Sequence, residues 1–163
     1  MSVKAGRLPA RRAKNGDAPA PTIDHKATSF KLRLAYSPIH RWGLYAEEFI
    51  PKGRKIMEYT GERISRKETK RRYAEREENY FFTLNPYWTL DGAVGGSGAQ
   101  YINHCCEPNC YAQIVKEHIL YKAMRPIQPG EELTIDYRFD KDVDRVPCKC
   151  GASGCRGTIN LKE

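Results

Sequence analysis

The chain lacks any run of about 18 apolar residues, so no membrane-spanning helix is expected. No secretory leader is expected, since Met1-Ser2-Val3-Lys4-Ala5-Gly6-Arg7 opens onto no hydrophobic stretch. An intracellular protein is the expectation, with cysteines kept as thiols or metal ligands rather than disulfides. No cysteine precedes Cys105, and all six fall between there and Cys155. Internal repeats and long low-complexity segments are absent. A phosphate-binding fingerprint is missing as well. Gly92-Ala93-Val94-Gly95-Gly96-Ser97-Gly98 is rich in glycine, but it has neither the Lys-Ser/Thr ending of a phosphate cradle nor dinucleotide-binding spacing. It reads as a pliant loop. Acidic residues are in the minority, 20 against 28 Lys and Arg, which leaves a net charge of +8.

What is present fits one domain: 163 residues can build a single core but not two comfortable ones. Residues 1–28 carry Lys4, Arg7, Arg11, Arg12, Lys14 and Lys26 against Asp17 and Asp24, half of the net charge. Their Ala, Pro and Gly content predicts a flexible basic arm. Its charges make it a candidate for weak contact with nucleic acid, although an acidic protein face would attract it equally.

The rest reads as mostly β, in short strands separated by turn residues. The expected strands are Lys31–Tyr36, Leu44–Glu47, Lys55–Tyr59, Tyr80–Leu84, Trp88–Leu90, Ala112–Lys116, His118–Ala123 and Glu132–Phe139. One helix is predicted. Ser65-Arg66-Lys67-Glu68 is a capping box, and the charged run to about Glu78 suits a surface helix.

Cys148-Lys149-Cys150 followed by Cys155 has the spacing of a metal site. Zinc takes four ligands in a tetrahedron, and thiolates about 2.3 Å away satisfy it. Three lie in this loop, so a fourth must come from Cys105, Cys106 or Cys110. Such a site leaves no open position for a catalytic water and is therefore structural.

Two further segments are too irregular for ordinary core: Tyr101-Ile102-Asn103-His104-Cys105-Cys106-Glu107-Pro108-Asn109-Cys110 and Glu131-Glu132-Leu133-Thr134-Ile135-Asp136-Tyr137. Taken with Ser37-Pro38-Ile39-His40-Arg41-Trp42-Gly43-Leu44 and the cysteine tail, they closely resemble the SET-domain lysine methyltransferases. The resemblance covers roughly residues 30–160 and is strongest to the trithorax-type branch.

The resemblance implies a SET domain over 29–140, built of short strands in small sheets with a knot-like C-terminal segment. It implies a zinc-bound post-SET segment over 141–163. It implies that His40, Arg41, Trp42 and Gly43 form a turn holding S-adenosylmethionine, with Asn103 and His104 contacting the same cofactor. Tyr80 would line both cofactor and lysine channel, Tyr137 would sit at the methyl-transfer point, and Lys149 would lie against the cofactor. Cys106 is implied as the fourth zinc ligand beside Cys148, Cys150 and Cys155. The implied substrate is a basic, lysine-bearing protein tail of histone type. A monomer is expected, at chromatin in a eukaryotic nucleus or in a bacterial cytoplasm. The alternative is a catalytically silent, zinc-stabilised module that binds peptide or nucleic acid. Retention of Tyr80, Tyr137, Asn103 and His104 argues against it.

These residue types suit the chemistry. A lysine nucleophile must lose a proton whose ordinary pKa is about 10.4. A positive charge about 4 Å away disfavours the ammonium by roughly 4 kcal/mol at an effective dielectric near 20. What remains is alignment in a narrow, water-poor channel, for which tyrosines supply an apolar body and one orienting hydroxyl. Three departures from the family pattern stand out. Cys105 replaces a serine. Arg41 replaces a glycine in the cofactor turn, at a backbone cost if φ is positive there. Ile135 replaces an aromatic residue that influences methyl number, and its smaller side chain predicts room for more than one methylation.

Overall fold

The computed structural model describes residues 21–76, 78–139 and 144–161. In chain order the first elements are β1 (Leu32–Tyr36), β2 (Trp42–Ala46), β3 (Lys55–Tyr59), β4 (Glu62–Ser65) and α1 (Arg66–Arg72). They are followed by β5 (Phe81–Thr83), β6 (Trp88–Asp91), β7 (Asn103–His104), β8 (Cys110–Val115), β9 (His118–Ala123) and β10 (Thr134–Ile135). The architecture is mostly β, in four small sheets. β1 and β2 form an antiparallel pair, β3-β9-β8 and β4-β6-β5 form three-stranded sheets, and β7 pairs with β10 in parallel. Their inner faces meet in one core that includes Leu44, Ile56, Met57, Ile119, Ile127 and Leu133, all fully buried. Each such side chain stabilises the fold by about 1.5–3 kcal/mol.

Lys55–Tyr59 and His118–Ala123 are strands with the boundaries expected of them. The hairpin between β8 and β9 turns on Lys116 and Glu117, both at positive φ. That pattern belongs to a two-residue turn whose twist matches the strands, here made without glycine. Two short strands, β4 and β7, carried no pattern of their own.

Two expectations are corrected. The helix ends at Arg72 rather than near Glu78. Tyr73 is buried against Phe81 with its phenol donating to Asp91, whereas Ala74, Glu75 and Arg76 are exposed, with no apolar face to hold another turn. Of the run Glu132–Phe139 only Thr134 and Ile135 form a strand, while Glu132 and Phe139 make isolated bridges to Tyr45 and Asn160. Beyond them Tyr137 N–H donates to His104 Nδ1 and Arg138 N–H to Asp136 Oδ1, so side chains replace the ladder; Arg138 then turns with φ 52. The glycine segment is the loop expected, with Ala93, Val94 and Gly95 exposed and its far end anchored. Ser97 is fully buried, its hydroxyl donates to Glu58 O at 2.6 Å, and its carbonyl accepts Asp24 N–H.

The expected arm falls mainly on residues 1–20, which lie outside the described residues. Its last part belongs to the folded unit: Ile23 packs against the core, His25–Ala27 form a 3₁₀ turn, and Thr28 bridges to Met57.

Candidate functional site

The turn between β1 and β2 is held by side chains from distant sequence. Arg41 adopts φ 44, the left-handed conformation in which a glycine would be at ease, at a cost on the order of 1 kcal/mol. Ser37 N–H closes the turn on Arg41 O at 2.8 Å. From β7, the buried Asn103 amide donates to His40 O at 3.3 Å, Trp42 O at 2.9 Å and Glu132 Oε1 at 2.8 Å. Glu132 Oε2 accepts from Ser37 Oγ and the Tyr45 phenol at 2.9 and 3.1 Å. Sequence reasoning assigns Glu132 no role of its own. Only the tertiary structure shows that its carboxylate fills the space beside Gly43, where a Cβ would lie 2.3 Å from Oε1.

His104, also on β7, is buried, and burial pushes its imidazole down to about 4. It is therefore neutral near pH 7. Nδ1 accepts the Tyr137 N–H, which leaves the proton on Nε2, 3.5 Å from Cys106 Sγ. Next to Tyr137, burial raises the Asp136 carboxyl, but the Arg156 guanidinium bound to both its oxygens, at 2.8 and 2.9 Å, holds it below the usual range. Arg156 directly follows Cys155, and its adjacency to a proposed ligand was the only signal that could have found it. It ties the cysteine tail to the Tyr137 segment.

Two cavities meet behind these elements. One is walled by aromatic and apolar side chains, among them Tyr59, Phe82, Tyr121 and Ile135. The other is polar and lined by His40, Arg41, Trp42, Glu78, Tyr101 and Asn103. Asn79, Tyr80, Gln100, Tyr137 and Phe139 line both. The Tyr137 phenol donates to Ile102 O at 2.7 Å and stacks on Phe139, while Tyr59 donates to Tyr80 O at 2.6 Å. Tyr80 donates to the Glu78 carboxylate, which also pairs with Arg41. Burial raises the Tyr80 and Tyr137 phenols above 10, so both stay protonated and serve as donors, not bases.

Of the sequence-derived site residues, His40, Arg41, Trp42, Tyr80, Asn103, Ile135 and Tyr137 come together on these cavities. His104, Gly43 and Lys149 line neither. Lys149 is exposed but close enough to His40 that, after burial and Arg41, it lowers that imidazole's pKa. Glu131 and Glu107, two carboxylates that a basic tail could have met, are otherwise engaged: Glu131 pairs with Arg125 at 2.6 Å, and Glu107 lies against Ser153 and Gly154.

The Sγ atoms of Cys106, Cys148, Cys150 and Cys155 all lie within 4.8 Å of one another. Cys106 Sγ is 3.7 Å from Cys148 Sγ and 4.0 Å from Cys155 Sγ. A tetrahedron with 2.3 Å metal–sulfur bonds has edges of about 3.8 Å, so the donor set fits zinc. Backbone N–H groups of Arg156 and Gly157 point at Cys106 and Cys155 Sγ at 3.4 Å. Cys105 and Cys110 stand outside the group. Burial pushes their thiols up to about 11 and about 12, as expected of packed, unligated cysteines.

The family model for the SET domain matches residues 41–138. Among similar proteins is a histone-lysine N-methyltransferase, H3 lysine-4 specific, of Saccharomyces cerevisiae, 41% identical over 141 residues. That match covers 79% of this chain and 13% of the yeast protein. Its counterpart in Chaetomium globosum is 40% identical over 146 residues, with 79% and 13% coverage. Histone-lysine N-methyltransferase SETD1 of Drosophila melanogaster is 37% identical over 139 residues, covering 80% of this chain and 8% of the fly protein. The chain thus spans about a tenth of the length of these relatives. With the motif segments assembled around paired cavities and a four-thiol cluster beside them, the chain belongs to the SET domain family.

Proposed function

We propose that this domain transfers methyl groups from S-adenosylmethionine to the ε-amine of a lysine in a basic, histone-like protein tail. The observation that carries the reading is the meeting of a polar and an aromatic cavity at Tyr80 and Tyr137. Bound S-adenosylmethionine would supply an electrophilic methyl group. The chain's own residues do the rest. Asn103 fixes the His40–Trp42 turn that would hold the cofactor, with Gly43 and His104 supporting that wall and Lys149 at its rim. An amine between the aromatic walls would lose part of its hydration and with it part of the stability of its ammonium form. Tyr80 and Tyr137 remain protonated and anchored to Glu78 and Ile102 O, and they position rather than deprotonate.

Cys106, Cys148, Cys150 and Cys155 would hold one structural zinc ion. We read residues 141–163 as the post-SET segment that it ties down, and 29–140 as the SET domain. The Saccharomyces and Chaetomium relatives are named for histone H3 lysine 4, which makes the H3 tail the first substrate to test. A histone substrate would place the protein at chromatin in a eukaryotic cell.

The test is methyl transfer from labelled S-adenosylmethionine to recombinant histone H3 and mixed core histones, with Tyr137→Phe as control. Labelled lysine that vanishes in the control supports the reading. Cofactor binding without transfer to any protein would instead favour a silent binding module.

A further inference from the structure

Asn79 immediately precedes Tyr80 and lines both cavities. Its amide oxygen is buried and accepts no hydrogen bond among the described residues. Buried polar atoms are satisfied in the great majority of cases, so an orphan in a cavity wall points to a donor that arrives with a ligand. None of the four phenols lining the aromatic cavity, Tyr59, Tyr80, Tyr121 and Tyr137, donates to this oxygen. Tyr137 spends its proton on Ile102 O, Tyr59 on Tyr80 O, and Tyr80 on the Glu78 carboxylate. The remaining walls of the aromatic cavity include Phe82, Ile135 and Phe139, which offer nothing to an N–H group. The polar cavity is differently equipped, because the Glu78 carboxylate already serves as an acceptor there. On the aromatic side Asn79 Oδ1 is left as a buried acceptor without a donor among the described residues.

We propose that Asn79 Oδ1 accepts a hydrogen bond from the ε-amine of the substrate lysine, making Asn79 a substrate-orienting residue. The proposal rests on the methyltransferase reading above. It has a consequence for product. A neutral lysine amine carries two N–H groups, a monomethylated one carries one, and a dimethylated one carries none. Asn79 can therefore hold the first two for attack but not the third. With Ile135 leaving room, the second methyl group is added efficiently and the third slowly.

The experiment compares wild type, Asn79→Ala and Asn79→Asp in the full chain, using H3 tail peptides with unmodified, monomethylated or dimethylated target lysine. Alanine is expected to raise KM for the unmodified and monomethylated peptides about tenfold while leaving kcat within about threefold. Calorimetric affinity for S-adenosylhomocysteine stays at the wild-type value. Aspartate keeps the acceptor and restores KM. Its negative charge favours the ammonium form, so the alkaline rise of kcat/KM moves to higher pH. An alanine variant with wild-type KM, or a loss confined to cofactor affinity, overturns the proposal. Should alanine fail to fold, aspartate decides alone, and an unmoved pH profile overturns it. Wild-type protein that binds cofactor but methylates no peptide sinks the function together with this proposal; active wild type with indifferent variants sinks the proposal only.

Discussion

Replacing Gly43 by alanine places a Cβ 2.3 Å from Glu132 Oε1, 2.9 Å from its carboxyl carbon and 3.0 Å from Ser37 Cβ. Ordinary contact begins near 3.4 Å, so the carboxylate must retreat by about 1 Å. The backbone cannot give way instead. Gly43 pairs with Ala35 across β1–β2, and on its other side Leu133 N–H donates to Leu44 O at 2.7 Å. Glu132 accepts from Asn103, Ser37 and Tyr45, and a shift of that size breaks one or two of these bonds. Hydrogen bonds to a charged group contribute about 1.5–3 kcal/mol each. Discounted for the partial exposure of Glu132, the loss is about 2–4 kcal/mol, or a fall in Tm of roughly 5–12 °C for a domain this size. Because Asn103 is released from its carboxylate, the His40–Trp42 turn loosens and affinity for S-adenosylmethionine should drop about tenfold. Thermal unfolding and calorimetry read the two effects separately. Gly53→Ala is the control: its Cβ meets nothing within 4 Å, and φ +80 costs only about 1 kcal/mol of strain with no effect on the cofactor. A Gly43→Ala protein with wild-type Tm and cofactor affinity would refute the reasoning.

Cys150→Ser should lose zinc and methyl transfer together, because the cluster ties the tail, through Arg156, to Asp136 beside Tyr137. Metal analysis beside the activity assay checks this, and an active, zinc-free variant breaks the link. His40 should titrate below its ordinary 6.5, since burial, Arg41 and Lys149 all disfavour its cation. The sign follows: a depressed imidazole stabilises the fold fully above about 6.5, and that contribution is lost as pH falls from there towards the folded value. NMR titration should show the pKa rise in Lys149→Met; no movement would separate Lys149 from His40. Ile135 is buried in the wall of the aromatic cavity and smaller than an aromatic ring. Mass spectrometry of the product should therefore show more than monomethyl-lysine, and a reaction that stops at one methyl contradicts the role given to it.

Local pattern alone determined a good deal of this protein. Alternating and β-branched runs marked Lys55–Tyr59 and His118–Ala123, because a strand with one buried face writes its period directly into the chain. The capping box located the start of α1 at Ser65, whose Oγ accepts Glu68 N–H at 3.1 Å. Ligand spacing in Cys148–Cys155 likewise carried its chemistry in short range. Choosing Cys106 over Cys105 and Cys110 took resemblance, and the geometry that brings its Sγ to the cluster is tertiary.

The end of α1 was beyond sequence because Tyr73 stops there to reach Asp91, 18 residues away. The length of β10 was equally hidden, since His104 and Asp136 side chains take over the backbone donors after Ile135. Glu132 and Arg156 look like ordinary charged residues in one dimension. Their roles come from partners on β7, on β2 and beside Tyr137, and no local period encodes a contact between segments that far apart. Asn79 is the plainest case: its significance is an oxygen left without a donor among the described residues, which exists only once the cavity wall is assembled.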